Sequence, residues 1–357
     1  MTAASRGGRI ASLHPAYFAM VMATGIVSIA AKLLGLTPLA HLLFGLNLLF
    51  YPVLVVLTGV RVARFRDRVV ADLLDHGRSV GFFTIVAGTC VLGSQFIIVA
   101  EMWRPAAFLW GVGIVLWGVI TYGVLALLTV KDHKPPMPEG LSGGWLVTVV
   151  AAQSVSVLGT QLATGFGSRE PLVLFFSLLL WLGGGMLYIW IISLIFFRYT
   201  FFVMEPSDLG PPYWINMGAV AISTLAGALL VAAAPASALL RELVPFLKGM
   251  TLLFWATATW WIPMLVILGV WRHLIRRFPL RYDPLYWGAV FPLGMYTVCT
   301  YRLAQIVDVP GLMVIPRAFV WVAVLAWTAT LLGLVQDLFA RSPAGPSPSR
   351  RSPSVLH

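Results

Sequence analysis

Ten long, strongly apolar runs with few or no charges divide almost the whole chain, and they constrain the fold more than any other feature of the sequence. A helix needs about 20 consecutive apolar residues to cross the hydrocarbon core of a bilayer. The runs predict ten transmembrane helices over residues 15–35, 38–61, 80–100, 105–130, 143–165, 171–197, 213–234, 245–271, 284–307 and 312–338.

The composition excludes a soluble fold. Of the 357 residues, 59% are hydrophobic and only 10% are charged, whereas a soluble domain carries about a quarter charged residues. So little charge cannot cover a water-facing surface, which predicts an all-α integral membrane protein. We expect an N-terminal tail over residues 1–14, a ten-helix transporter or channel domain over 15–339, and a disordered Ser/Pro/Arg-rich tail over 340–357.

The basic residues predict the orientation of the chain. Seventeen of the 24 Lys and Arg residues fall on the side that ten spans would share with both termini, and five fall on the other side. The positive-inside rule therefore places both termini in the cytoplasm of a multi-pass cell-membrane protein. The net charge of +11 then reflects topology rather than a nucleic-acid partner. Short outer links and longer inner links predict five helical hairpins.

Odd and even spans differ in composition. Odd spans carry small and polar residues at helical spacing, and the segment VLGSQ at 91–95 reappears as VLGTQ at 157–161. Within the predicted spans, tryptophan lies in even spans and otherwise only at the starts of odd ones. The polar and small residues singled out as pore-lining candidates are Thr24, Ser28, Thr84, Gly88, Gln95, Gln153, Ser156, Thr160, Asn216, Ser223 and Thr297.

Two interpretations explain this sorting. Small and polar faces hold ordinary membrane bundles together without any pore. Because the same bias occurs in all five odd spans, we favour an inner ring of odd helices around a central pore, surrounded by even helices. VLGSQ and VLGTQ would then occupy matching positions on two inner helices.

The chemistry available mid-membrane favours anions. No Asp or Glu lies in the middle of a span, and an acidic residue is the usual proton or cation relay. Arg302 is the one basic residue well inside an odd span; it either attracts anions at the outer mouth, snorkels to the headgroups or pairs with Asp308. The two cysteines and six histidines have no metal-ligand spacing, and no catalytic motif is present, so we expect no metal, no cofactor and no enzyme.

Three segments resemble one transporter family. They are HPAYFAMVMATGIVSIAAKLLG in the first span, PSDLGPPYWINMGAVAISTLAG at the seventh, and YWGAVFPLGMYT in the ninth. The sequence resembles the tellurite-resistance/C4-dicarboxylate transporter family, which includes TehA-type channels, plant slow anion channels, malate permeases and sulfite efflux pumps. The likeness covers roughly residues 14–339.

The resemblance implies a quasi-fivefold arrangement of hairpins, a pore lined by odd helices and a homotrimer with one pore in each subunit. It also implies an occluding phenylalanine, which its place before the proline of the ninth span assigns to Phe291. On an unkinked helix, Phe291 and Arg302 share nearly one face, about 16 Å apart along the axis; a kink at Pro292 would change this.

We therefore predict transmembrane passage of small anions, C4-dicarboxylates or sulfite-like oxyanions, gated by Phe291. A proton-coupled dicarboxylate or sulfite carrier of the same fold is the alternative. A polytopic membrane enzyme is the remote one, because no cluster of His, Asp or Glu is found at either membrane face.

Overall fold

The computed structural model describes residue 8 and residues 10–340, with side chains to residue 339, and the described part is helical throughout, without strands. The predicted disordered tail lies outside the described residues beyond 340, as do residues 1–7 and 9. Ten helices of 15 or more residues are present in the described part: α1 (Ala19–Leu33), α2 (Thr37–Arg64), α3 (Phe83–Ile98), α4 (Trp103–Val130), α5 (Val147–Leu162), α6 (Glu170–Phe201), α7 (Ile215–Ala232), α8 (Ala238–Val270), α9 (Trp287–Ala304) and α10 (Val314–Ala340).

Most helix boundaries lie within a few residues of the predicted spans. The eighth differs most, since α8 begins at Ala238 rather than at 245. Pro245 marked the predicted start, but it lies inside the helix, where the preceding residues already form helical turns. The loop after α2 also contains a helix, Arg66–Leu74.

Odd and even helices occupy different layers. The 18-residue apolar stretches taken from the segments of α1, α3 and α7 are 83%, 78% and 89% buried, whereas those taken from the segments of α2, α4, α8 and α10 are 17–22% buried. Each odd helix packs against two other odd helices, in the closed order α1, α3, α5, α7, α9 and back to α1. Each odd helix also packs against the even helix that follows it. The predicted sorting into inner and outer helices therefore agrees with the burial of these segments.

Each inner helix begins with a short 3-10 turn. These turns are Pro15–Phe18, Ser79–Phe82, Gly143–Leu146, Pro211–Trp214 and Pro284–Tyr286, and they contact one another in the same cyclic order as the helices. Proline at the first position of three of them suits a helix start, because its fixed φ is helical and its missing N–H would have no partner there. The ring thus has a defined N-side, where all five inner helices start, and an opposite C-side.

Eight helical stretches of the described residues are long and apolar enough to cross a membrane. One of them, Gly143–Phe201, contains both α5 and α6, and α9 is not among the eight. The chain is therefore confirmed as an all-helical protein with many candidate membrane spans. That all ten helices cross the bilayer as five hairpins is part of the function proposed below.

Candidate functional site: two cavities within the inner ring

The first cavity, called the N-side cavity here, lies where the inner helices begin. It has a volume of about 230 Å³. Its walls come from all five inner helices and their 3-10 turns, through Met22, Thr84, Val150, Ile215 and Phe291 among others. The exposed residues Gly77 and Ser207 also line it, so its rim reaches the protein surface.

The second cavity, called the C-side cavity, is lined by the same five helices nearer their C-terminal ends. It is much smaller, about 20 Å³. Its lining is mainly aliphatic, with a few polar groups and one charged side chain, Arg302. The residues are Ile26, Ile29, Cys90, Val91, Ser94, Ile98, Ser154, Val157, Gln161, Ile222, Leu225, Met295, Val298 and Arg302.

About one turn of helix separates the two cavities. On α9, Phe291 lines the N-side cavity and Met295 the C-side cavity. Met22 and Ile26 on α1, and Val150 and Ser154 on α5, show the same four-residue offset, which corresponds to about 6 Å along a helix. Phe291 is only 1% exposed, so its ring is packed among neighbours at this level. α9 continues through Pro292 to Ala304.

Only three of the predicted site residues line either cavity. Thr84 and Phe291 line the N-side cavity, and Arg302 lines the C-side cavity. Arg302 donates to Gln305 Oε1 at 3.0 Å and, within the described chain, has no ion pair with Asp308. The pore-facing prediction differs from the structure for Thr24, Ser28, Gly88, Gln95, Gln153, Ser156, Thr160, Asn216, Ser223 and Thr297, none of which lines these two cavities.

Most of these residues instead hold helices together. Ser28 Oγ donates to the carbonyl of Ala40 in α2, and Ser156 Oγ donates to that of Ser177 in α6. Gln153 Nε2 donates to the carbonyl of Trp181, also in α6. In a membrane a polar side chain needs a partner wherever it is buried, and the neighbouring helix supplies it.

The remaining ones are also accounted for within the bundle. Gln95 accepts from Asn47 of α2, Asn216 donates to Tyr199 of α6, and Thr24 accepts from Trp327 of α10. The hydroxyls of Thr160, Ser223 and Thr297 donate to carbonyls one turn earlier in their own helices. Gly88 lies against Phe18 and Val21 at the α1–α3 contact.

The polar lining of the cavities was largely missed by the sequence prediction. His14, Ser142 and Asp208 line the N-side cavity, and Ser94, Ser154 and Gln161 line the C-side cavity. The repeat VLGTQ did contain Gln161, but helical spacing from Gln153 selected a face about 80° away from it. The segments HPAYF, SVGF, GGWL, PPYW and PLYW, which place Gly or Pro before an aromatic residue at each ring position, are the signal that could have located the N-side lining.

Charges at the N-side rim are paired. Asp72 Oδ2 accepts from Arg61 at 2.6 Å, and Asp72 Oδ1 accepts from Arg78 Nε at 2.5 Å. Burial raises the pKa of the Asp72 carboxyl, but the hydrogen bonds from Arg78 and Arg61 outweigh it and hold the pKa below its ordinary value. One carboxylate between two guanidinium groups leaves this cluster with one excess positive charge.

His14, next to this cluster, is neutral near pH 7. Burial, followed by the positive charge of Arg78, lowers the pKa of the imidazole from 6.5 to about 4. His14 Nδ1 accepts from the backbone N–H of Ala16 at 3.1 Å and so caps the first 3-10 turn. On another wall of the N-side cavity, Arg198 holds two lining residues in place. Its guanidinium group donates to the Leu141 carbonyl and to the Tyr213 hydroxyl, and it pairs with Asp208.

No group of three or more His, Cys, Asp or Glu side chains in the described residues could hold a metal ion. The described lining of the two cavities combines neutral dipoles and aliphatic surface with Asp208, paired with Arg198, on the N-side and Arg302 on the C-side.

Comparison with known proteins agrees with this geometry. The chain matches the SLAC1 family, described as voltage-dependent anion channel, over residues 12–335. An uncharacterized membrane protein of Mycobacterium tuberculosis is 42% identical over 156 residues, which cover 43% of this chain and 78% of the relative.

Two more distant relatives cover nearly the whole chain. An uncharacterized transporter of Methanocaldococcus jannaschii is 23% identical over 336 residues, 92% of this chain and 94% of its own length. A second one from the same organism is 21% identical over 337 residues, 93% of this chain and 96% of its own length. The family resemblance found in the sequence is thereby confirmed, and the chain belongs to the SLAC1 family of membrane transport proteins and is not an enzyme.

Proposed function

We propose that the chain conducts small anions across the cell membrane along the axis of the inner ring, and that Phe291 closes this path. Small inorganic anions, sulfite-like oxyanions and C4-dicarboxylates are the substrate classes. The observation that supports the proposal most directly is the pair of cavities within one ring, divided by a single layer of side chains that contains Phe291.

The charge distribution along the axis supports an anion rather than a cation. Among the described residues, Asp208 is the one acidic residue in the lining of either cavity, and its charge is offset by Arg198. The C-side cavity is lined by Arg302 and no acid. A cation path would require acidic rings, whereas neutral dipoles and one cation suit an anion that must bind weakly enough to leave.

The proposal includes ten membrane crossings as five hairpins, with both termini cytoplasmic. Although α9 is less apolar than the other helices, it packs between α1 and α7, where other helices rather than lipid surround it. Such a helix does not need the hydropathy of a lipid-facing span. We include in the same proposal the homotrimer that the family resemblance implies.

Anion flux into proteoliposomes tests the role of Phe291. Replacing Phe291 with Ala removes the ring from the layer between the cavities, so we expect flux of chloride, nitrate, sulfite or malate to rise at least about tenfold, equivalent to a barrier lower by about 1.4 kcal/mol. Phe83→Ala is the matched control, because Phe83 is equally buried in α3 but lines neither cavity.

Two results would count against this function. Equal flux through Phe291→Ala, Phe83→Ala and wild type would mean that the axis is not the path or that Phe291 does not close it. Uptake that follows an imposed pH gradient and is unchanged in Phe291→Ala would instead indicate the proton-coupled carrier.

A further inference from the structure

Most polar side chains of the inner helices make at least one hydrogen bond within the bundle, although single atoms of Gln95, Gln153 and Asn216 are also buried without a partner. Three groups in the C-side cavity stand apart because they line an open space and use few or none of their hydrogen-bonding atoms. Within the described chain, neither the Ser94 hydroxyl nor the Gln161 amide takes part in a hydrogen bond, and Gln161 Oε1 is buried without a partner. Arg302 uses one nitrogen for Gln305. A buried polar group without a partner costs free energy, so such groups usually have a ligand or a function.

The contrast with the equivalent residues is direct. In VLGSQ, Gln95 accepts a hydrogen bond from Asn47 at 2.7 Å and faces α2. In VLGTQ, the corresponding Gln161 lines the C-side cavity and has no such partner. The glutamines of the two segments therefore have different surroundings, although both segments lie in the same ring of inner helices.

From these observations we infer that Ser94, Gln161 and Arg302, from α3, α5 and α9, form a binding site for one small, largely dehydrated inorganic anion in the C-side cavity. The inference rests on the proposed function, because it places a resting point for the transported ion on the path. Hydroxyl, amide and guanidinium N–H groups are donors suited to an anion, and no acidic side chain is found in the described lining of this cavity. The buried Oε1 of Gln161 is an acceptor, so binding of an anion requires the Gln161 amide to turn over and present its Nε2 donor.

The size of the cavity defines the ligand class. A volume of about 20 Å³ compares with the 10–15 Å³ that one water molecule requires by the same kind of measure. A halide fits this space, whereas a C4-dicarboxylate fits only if the inner helices separate. The aliphatic neighbours Val91 and Val157, which occupy the same position in the two repeated segments, exclude further water.

The site is tested in the Phe291→Ala background, where flux is open. The measurement is the chloride concentration that gives half-maximal flux into proteoliposomes. We expect Arg302→Gln to raise this half-maximal concentration about tenfold, which corresponds to a loss of about 1.4 kcal/mol of binding free energy. Gln161→Leu should also raise the half-maximal concentration. Arg302→Lys retains the charge and should restore most of the affinity. Arg104→Gln removes an exposed arginine that lines neither cavity and should have no effect.

Unchanged half-maximal concentrations, within a factor of about two, in Arg302→Gln and Gln161→Leu would overturn the site while leaving conduction itself intact. Absence of flux in Phe291→Ala would overturn the proposed function instead. For variants that do not fold, crystals of the wild-type protein soaked in bromide give an independent answer. An anomalous peak between Ser94, Gln161 and Arg302 supports the site, and a C-side cavity without one overturns it.

Discussion

At the scale of residues, the glycine of VLGSQ allows close packing of two inner helices. A Cβ atom placed on Gly93 would lie 2.4 Å from Leu158 Cδ2, well inside contact distance. Leu158 is itself the leucine of VLGTQ, so the two repeated segments touch at the α3–α5 contact. The small residue lets the helix backbones approach, as is common between membrane helices.

His14 makes the stability of the protein depend on pH. Its folded-state pKa of about 4 lies below the ordinary value of 6.5. The unfolded chain therefore binds more protons between these values, and stability is lost as the pH falls through this range. His14→Asn keeps a side chain able to cap the first 3-10 turn and does not titrate, so we expect the melting temperature in detergent to fall less between about pH 7 and 5 than in wild type.

The charged groups around His14 are the same in both proteins, which makes the comparison a controlled one. Arg78, Asp72, Asp283 and Arg61 all act on the imidazole and remain in the variant. If the melting temperatures of wild type and His14→Asn fell by the same amount across this pH range, that result would contradict a neutral, buried His14.

Sequence periodicity locates a residue near the ring cavities more readily where its type has one main use than where it has two. Phe291 and Arg302 were singled out, and both line the ring cavities. Serine, threonine and glutamine serve equally to line a pore and to bond a neighbouring helix. Periodicity identifies their face but not what lies opposite it, so Gln153 was predicted to line the pore and Gln161 was missed.

At the scale of elements, tryptophan indoles attach the outer helices to the inner ring. Trp110 of α4 donates to Val155 O of α5, and Trp181 of α6 donates to Ser223 O of α7. Trp255 of α8 and Trp327 of α10 donate to Thr300 of α9 and Thr24 of α1. Each outer helix therefore bonds the next inner helix of the ring, and on α2 the side chains of Asn47 and Tyr51 bond α3 in the same way.

Removing one indole N–H should loosen one such attachment. Trp181 is 1% exposed, and Trp181→Phe deletes its 2.8 Å hydrogen bond to Ser223 while keeping an aromatic ring. We expect thermal unfolding in micelles to report a loss of about 1–3 kcal/mol from the bond and the smaller ring. Trp190→Phe on the same helix is the control, since that indole is 60% exposed. Equal losses of unfolding free energy in the two variants would show that the hydrogen bond from the Trp181 indole does not contribute to stability.

The sorting of tryptophan into even spans was visible in the sequence, but its reason was not. Bulky aromatic residues suggested a surface facing lipid, and some, such as Trp190, do lie exposed. The bonded ones point inward, because an indole N–H buried in a membrane protein requires an acceptor. Composition separates helices into classes, whereas the direction of a side chain depends on the neighbours that surround it.

At the scale of the whole molecule, the ring closes between the two ends of the chain. Trp327 and Thr24, 303 residues apart, are hydrogen-bonded at 2.9 Å, and α9 packs against α1. Local patterns in the sequence predicted the helices and their two classes. The shared bias of the five odd spans favoured an inner ring, but local patterns do not specify which helices touch. The contact that closes the ring depends on distant segments, and the quasi-fivefold order of hairpins was implied by the family resemblance.

The predicted orientation can be tested with cysteine labelling, because the two native cysteines, Cys90 and Cys299, are buried and should stay silent. Ser168 is exposed in the turn between α5 and α6, and His133 is exposed in the loop after α4, on the N-side. The excess of Lys and Arg on the N-side predicts that this face is cytoplasmic. A membrane-impermeant maleimide should therefore label Ser168→Cys in intact cells, and His133→Cys only after the membrane is opened.

The opposite labelling pattern would invert the protein in the membrane without changing its fold. The larger N-side cavity and the cluster of Arg61, Asp72 and Arg78 would then face the outside, and Arg302 would lie toward the cytoplasm. An anion would meet the two cavities in reverse order. Because the resting site proposed around Arg302 lies on one side of the Phe291 layer only, orientation decides whether it is loaded from the cell or from the medium while that layer is closed.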